Sequence, residues 1–111
     1  MLGNADRRTL PISIDESALR TFCERWGVTQ LDLFGSALRD DFRSDSDVDV
    51  LVELSEDRRP TLLTLVQMED ELRQVLRRPV DLVLRRSVER SDNYIRREHI
   101  LSNRLPLYVA G

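Results

Sequence analysis

The sequence predicts a small α/β domain with three core strands. Three observations carry that reading. Short apolar runs at 28–35, 47–54 and 79–84 have strand character, and helical apolar spacing separates or follows them. The 111 residues suit a single domain, and no internal repeat or linker divides them. Hydrophobic residues make up 41% and charged residues 33%, which is ordinary for a globular chain and leaves no disordered tract.

The elements follow in order. Residues 1–12 read as a polar leader ending at Pro11, and 13–111 as the domain. Ser13 and Glu16 have capping-box spacing, Leu19, Phe22, Cys23 and Trp26 recur at helical intervals, and Gly27 is a stop signal. These predict a helix over 14–26. Val28 to Gly35, with Leu31, Leu33 and Phe34, reads as a buried strand ended by Gly35-Ser36. Residues 37–46 are polar and predict a short helical turn and loop. Asp47 to Leu54 alternates strictly over its first four residues and predicts a second strand. Pro60 fits a first helical turn, and Leu62, Leu65, Val66, Met68, Leu72, Val75 and Leu76 give an amphipathic helix over 60–77, with Met68 in the core. Pro79 to Leu84 is the third strand. Ser87 is placed to cap a last helix over 87–103 with a break at Ser91. Leu105 to Val109 is an apolar tail interrupted by Pro106, which either covers the core or offers a partner an apolar surface.

Composition excludes several chemistries. All 17 basic residues are Arg, so Lys nucleophiles and Lys-based phosphate loops are absent. The net charge of −3 gives no basic field for nucleic acid. A single cysteine, Cys23, allows no intrachain disulfide and fits a reducing compartment; its apolar neighbours make it a core residue. No run approaches the roughly 20 apolar residues of a membrane span, and the first residues do not resemble a signal peptide, so the cytoplasm is expected. A chain of this length buries roughly two-thirds of its unfolded surface. One core uses it up, so a bulky second substrate is expected to arrive on another protein.

Chemistry concentrates on acids in strands. Asp47 and Asp49 stand two apart, so their side chains share a face. Asp81 sits among Val80, Leu82, Val83 and Leu84, where a solvated-face explanation is hardest to sustain. Asp is depleted in strands and costly to bury unpaired, and adjacent carboxylates repel. A hard cation such as Mg²⁺ offsets those costs and leaves positions open for phosphates. Gly35 lets backbone N–H groups approach an anion, and the Ser36 hydroxyl can donate to a phosphate oxygen. Gly-Ser alone is uninformative; its value lies in preceding Asp47-Val48-Asp49 by ten residues, 37–46.

That arrangement resembles the signature of the polymerase β-like nucleotidyltransferases. Arg39, three residues after Ser36, fits their pattern. Chain length, Arg78-Pro79-Val80-Asp81-Leu82-Val83 and Leu105-Pro106-Leu107-Tyr108 are similar to the minimal nucleotidyltransferases (MNT), from about residue 15 onward. The resemblance implies a small mixed sheet flanked by helices. It also implies that Asp47, Asp49 and Asp81 hold two Mg²⁺ ions, with Asp81 acting on the acceptor hydroxyl. Gly35, Ser36 and Arg39 would hold the nucleotide, ATP. Two metals about 3.5–4 Å apart can stabilise the attacking and leaving oxygens of an in-line displacement. MNT proteins often serve as antitoxins to small helical HEPT toxins, moving AMP onto a toxin tyrosine. The implied partner is therefore a HEPT-like protein, with an oligomer formed together with it, and neither membrane nor direct nucleic acid is expected.

Other readings stay beside this one. The domain could neutralise a partner by occlusion alone, or transfer to a small-molecule hydroxyl. Asp45, Asp47, Asp49 and Glu56 imitate a calcium loop, but Val50 stands where its Gly is needed. His99 reads as a surface or packing residue, with phosphate contact as the alternative, and the pairs Arg77-Arg78, Arg85-Arg86 and Arg96-Arg97 read as solvated charge, with an acidic partner or triphosphate as the alternative. Tyr94 and Tyr108 read as packing residues, with modification sites as the alternative.

Overall fold

A computed structural model describes residues 14–38 and 47–110, and of Ser36 and Ala37 the backbone only. The expected leader, Ser13, Arg39 and most of the loop before Asp47 lie outside the described residues.

Helix α1 spans Glu16–Trp26. Its cap is Asp15, whose carboxylate accepts the N–H groups of Ser17 and Ala18 at 3.1 and 3.2 Å. Gly27 ends it with φ 70°, donating its N–H to the Cys23 carbonyl. A Cβ there would stand 2.6 Å from Arg58 Nε, so glycine serves both the turn and the approach of that guanidinium. The chain passes directly into β1, Val28–Phe34, and then a single 3₁₀ turn, Gly35–Leu38. Strand β2, Val48–Leu54, runs antiparallel to β1.

Helix α2 spans Leu62–Leu76. Its cap is the Thr61 hydroxyl, which accepts the Thr64 N–H at 3.1 Å; Pro60, expected inside the first turn, precedes the cap. Arg77 closes the helix at φ 56°. Strand β3, Val80–Leu84, then lies parallel to β2, so β2, α2 and β3 form one crossover unit.

The single last helix expected over 87–103 is two helices, α3 at Arg85–Glu89 and α4 at Tyr94–Ser102. The break falls near Ser91 as expected, but Ser87 caps neither helix. Asn93 caps α4, accepting the Arg96 N–H at 3.1 Å.

The apolar tail becomes a fourth strand, β4, Arg104–Val109, antiparallel to β1, giving the order β3-β2-β1-β4. The three-strand expectation is corrected on this point. Pro106 weakens the strand signal in the sequence, yet Pro is tolerated on an edge strand, and β4 is one. The tail covers the core: Leu107 is buried, while Pro106 and Val109 are exposed.

Alternation along the strands builds two layers. Leu31, Leu33, Val48, Val50, Val52, Val80 and Leu107 face α1 and α2, packing on Phe22, Cys23, Met68 and Leu72. The opposite face has a smaller cluster, Phe34 and Leu51 under Val88 of α3 and Ile100 of α4. The β3 edge is partly closed by Glu69 of α2, whose carboxylate accepts the Leu82 N–H at 2.9 Å. No helix of the described residues is long and apolar enough to cross a membrane.

Cys23 is a core residue, as expected. Burial, helped by neighbouring Glu24, pushes its thiol up to about 12. The thiolate is the reactive form. A disulfide reagent at pH 8 is therefore expected to titrate one thiol only after denaturant is added. Full labelling of the native chain within minutes would contradict the packing described.

Candidate active site

Strand register decides which acids meet. Val48, Val50 and Val52 point into the large core, so Asp49, between them, faces the other side of the sheet. Val80 and Leu82 do the same for Asp81. The two Asp residues are direct partners across the parallel β2–β3 pair, on one face. Asp47 is exposed and stands one residue before β2; continuing the strand alternation puts it on the Asp49 side.

The end of β1 meets the same point. Phe34 is the β1 partner of Asp49, and Gly35 follows at φ 66°. A Cβ on Gly35 would collide with Asp49 Oδ2 and stand 3.2 Å from its Cγ. Here glycine is needed for its backbone angle and for the carboxylate beside it. A 3₁₀ turn, Gly35–Leu38, begins at this point. Gly35, Asp49 and Asp81 are thus gathered at one end of the sheet, and Asp47 adjoins them.

Asp81 departs from expectation in one respect: it is exposed. Its apolar neighbours suggested a buried position, but β3 is an edge strand. Among the described residues no three acidic, His or Cys side chains are gathered into a finished metal cage. The donor set nonetheless suits Mg²⁺, which keeps several waters and is held by one or two carboxylates together with substrate phosphates. The half-buried Asp49 carboxylate beside the Gly35 main chain is such a donor.

A fourth acid on this face was missed. Asp32 of β1 is 1% exposed, bonded by Arg104 Nη1 at 2.9 Å and by Gln30 Nε2 at 3.0 and 3.1 Å. Arg104 also donates Nε–H to the Leu101 carbonyl at 3.0 Å, tying α4 to β1. Asp32 lies between Leu31 and Leu33, the same signal that singled out Asp81. Its partner, 72 residues away, has no sequence marker.

The calcium-loop alternative falls, because Val50 is fully buried within β2. His99 is exposed, with Asn103 beside it. Arg85 is paired with Glu53 and Glu89, and Arg86 donates to the Arg58 carbonyl, so these are structural surface contacts. Tyr108 packs on the core. Tyr94 does not: it is 62% exposed, its ring covered by Arg97.

The nucleotidyltransferase domain family matches residues 16–104. The chain belongs to that family. A solved structure assigned to the minimal nucleotidyltransferases is 34% identical, with a TM-score of 0.62 over 83% of this chain and 88% of that one. The protein adenylyltransferase MntA of Thermococcus cleftensis is 41% identical over 66 residues. That match covers 60% of this chain and 65% of the relative, so it spans a little under two-thirds of the relative's length. A crystal structure of a toxin–antitoxin with AMP-PNP is 18% identical, with a TM-score of 0.65 over 87% of this chain and 75% of that one. At that identity the likeness speaks for the fold. The mixed four-stranded sheet flanked by helices is therefore the nucleotidyltransferase fold.

Proposed function

We propose that this domain transfers AMP from ATP to a tyrosine hydroxyl of a HEPT-like toxin, and so acts as its antitoxin in the cytoplasm. The observation that carries the reading is the meeting of Gly35 with Asp49, beside Asp81 in register on the next strand. The names of the adenylyltransferase relative and of the toxin–antitoxin neighbour support the acceptor class.

Asp47, Asp49 and Asp81 would hold two Mg²⁺ ions, which when bound supply charge neutralisation for the phosphates. The rest is assigned to the chain. Gly35 and Ser36 receive the β- and γ-phosphates on the main chain and hydroxyl, and Arg39 adds a guanidinium. Asp81, exposed on the acceptor side, takes the proton of the attacking hydroxyl. The hydroxyl oxygen forms a bond to the α-phosphorus, the bond from that phosphorus to the bridging oxygen breaks, and pyrophosphate leaves with the electron pair. Positioning and electrostatics do most of such work.

The test uses the chain, a HEPT-like protein, Mg²⁺ and ATP labelled at either the α- or the γ-phosphate. Label is expected in the partner from the α position only, with a mass gain of one or more AMP units. Asp47→Asn combined with Asp49→Asn should remove it. A double variant that still silences the toxin fully would establish occlusion as the mechanism. Absence of label from either position would remove the enzymatic reading.

Asp81→Asn is expected to separate chemistry from stability. The side chain is exposed, and removing one charge from an acidic cluster relieves repulsion. The urea midpoint in EDTA should be unchanged or slightly raised while transfer is lost. Normal transfer by this variant would place Asp81 outside the chemistry.

A further inference from the structure

The α3–α4 hairpin reverses the charge balance of the chain. Overall, 20 acidic residues outnumber 17 basic ones, yet residues 85–102 carry five Arg against three acids. Arg85 is committed to Glu53 and Glu89. Arg97 is fixed by its bond to the Ser91 carbonyl at 3.1 Å and by stacking on Tyr94 at 5.4 Å. Arg96 is exposed, and no ion pair occupies its guanidinium among the described residues. Beside it, Tyr94 and Ile95 are 62% and 80% exposed, two large apolar side chains at the start of α4.

Arg96 and Arg97 border a cleft of about 110 Å³ whose lining also includes Val83, Ser87 and Ser91, and Tyr94 and Ile95 precede them on α4 without lining it. Val83 follows Asp81 by two residues in β3, so the cleft opens on the sheet face that carries Asp81. Its size decides what it can take. Small-molecule sites run to about 300–1,000 Å³. This one is too small for a nucleoside triphosphate and right for one side chain of a partner. The apolar floor, two serines and a guanidinium rim match a carboxylate on a short aliphatic stem.

We infer that the cleft between α3 and α4 docks an acidic segment of the acceptor protein, with Arg96 pairing its carboxylate and Tyr94 and Ile95 covering its apolar neighbours. The inference rests on the proposed transfer to a protein tyrosine and adds the chemistry by which that protein is held beside Asp81. Arg96 is a docking residue and takes no part in the reaction.

The test reads binding apart from transfer. Backbone amide signals of the chain are followed by NMR, in Mg²⁺ without ATP, during titration with a glutamate–tyrosine copolymer. Shifts are expected at Ser87, Ser91 and Arg96. Affinity should fall about tenfold in Arg96→Glu and measurably in Ile95→Ser, stay near normal in Arg96→Lys, and weaken with salt. Both mutated side chains are exposed, and an unchanged spectrum outside the hairpin verifies the fold. Equal binding by Arg96→Glu, shifts confined to other faces, equal affinity for a lysine–tyrosine copolymer, or preference for a single-stranded oligonucleotide would each overturn the inference. Loss of transfer with copolymer binding intact would instead strike the proposed reaction and leave the docking cleft standing.

Discussion

Arg104→Met is expected to destabilise the fold by about 3–5 kcal/mol, the cost of stranding one partner of a buried ion pair. Asp32 has 2% of its side chain exposed and relies on Arg104 Nη1 at 2.9 Å. Without the guanidinium, one Gln30 amide remains to satisfy a buried carboxylate. Arg104 keeps 23% of its side chain exposed, which places the effect toward the lower end. The second variant makes the interpretation specific. Asp32→Leu combined with Arg104→Met removes both charges, and chemical denaturation should show most of the stability restored. A single-variant cost under about 1 kcal/mol would mean that the pair does not secure β4 to β1.

Gly35→Ala is expected to lower transfer by about two orders of magnitude or more, since displacements near 1 Å in a reacting constellation cost that much. The loss of stability should be far smaller, about 1–2 kcal/mol for a left-handed alanine. Both effects share one origin. The φ of 66° suits glycine, and the added methyl would occupy the space of the Asp49 carboxylate. Thermal melts and AMP incorporation, measured on one preparation, separate the two effects. A variant that transfers normally would show that the close approach of Gly35 and Asp49 is incidental.

Much of this was legible in the sequence because it depends on local pattern. Helical spacing gave α1 and α2, and apolar runs gave β1, β2 and β3, each within two residues of its observed ends. Period-2 alternation put Asp49 on a strand, the apolar run 79–84 did the same for Asp81, and the register then brought them together. What escaped depends on distant partners. β4 contains Pro106 and is a strand because β1 offers it an edge. Asp32 was passed over although it met the test applied to Asp81, and its significance rests on Arg104, which only the fold brings near. The exposure of Asp81 follows from its edge position, which local sequence does not encode. Asn93 was hidden because Ser87 offered equally good capping chemistry nearby.

Calorimetric titration of ATP reports whether the carboxylates at the sheet end hold nucleotide through metal. ATP is expected to bind the chain in Mg²⁺ or Mn²⁺ and to lose nearly all measurable heat in EDTA. Asp47→Asn with Asp49→Asn should behave in Mg²⁺ as the unaltered chain does in EDTA. ATP binding of equal strength with and without metal, or unchanged by the double substitution, would mean that these carboxylates do not hold nucleotide through metal.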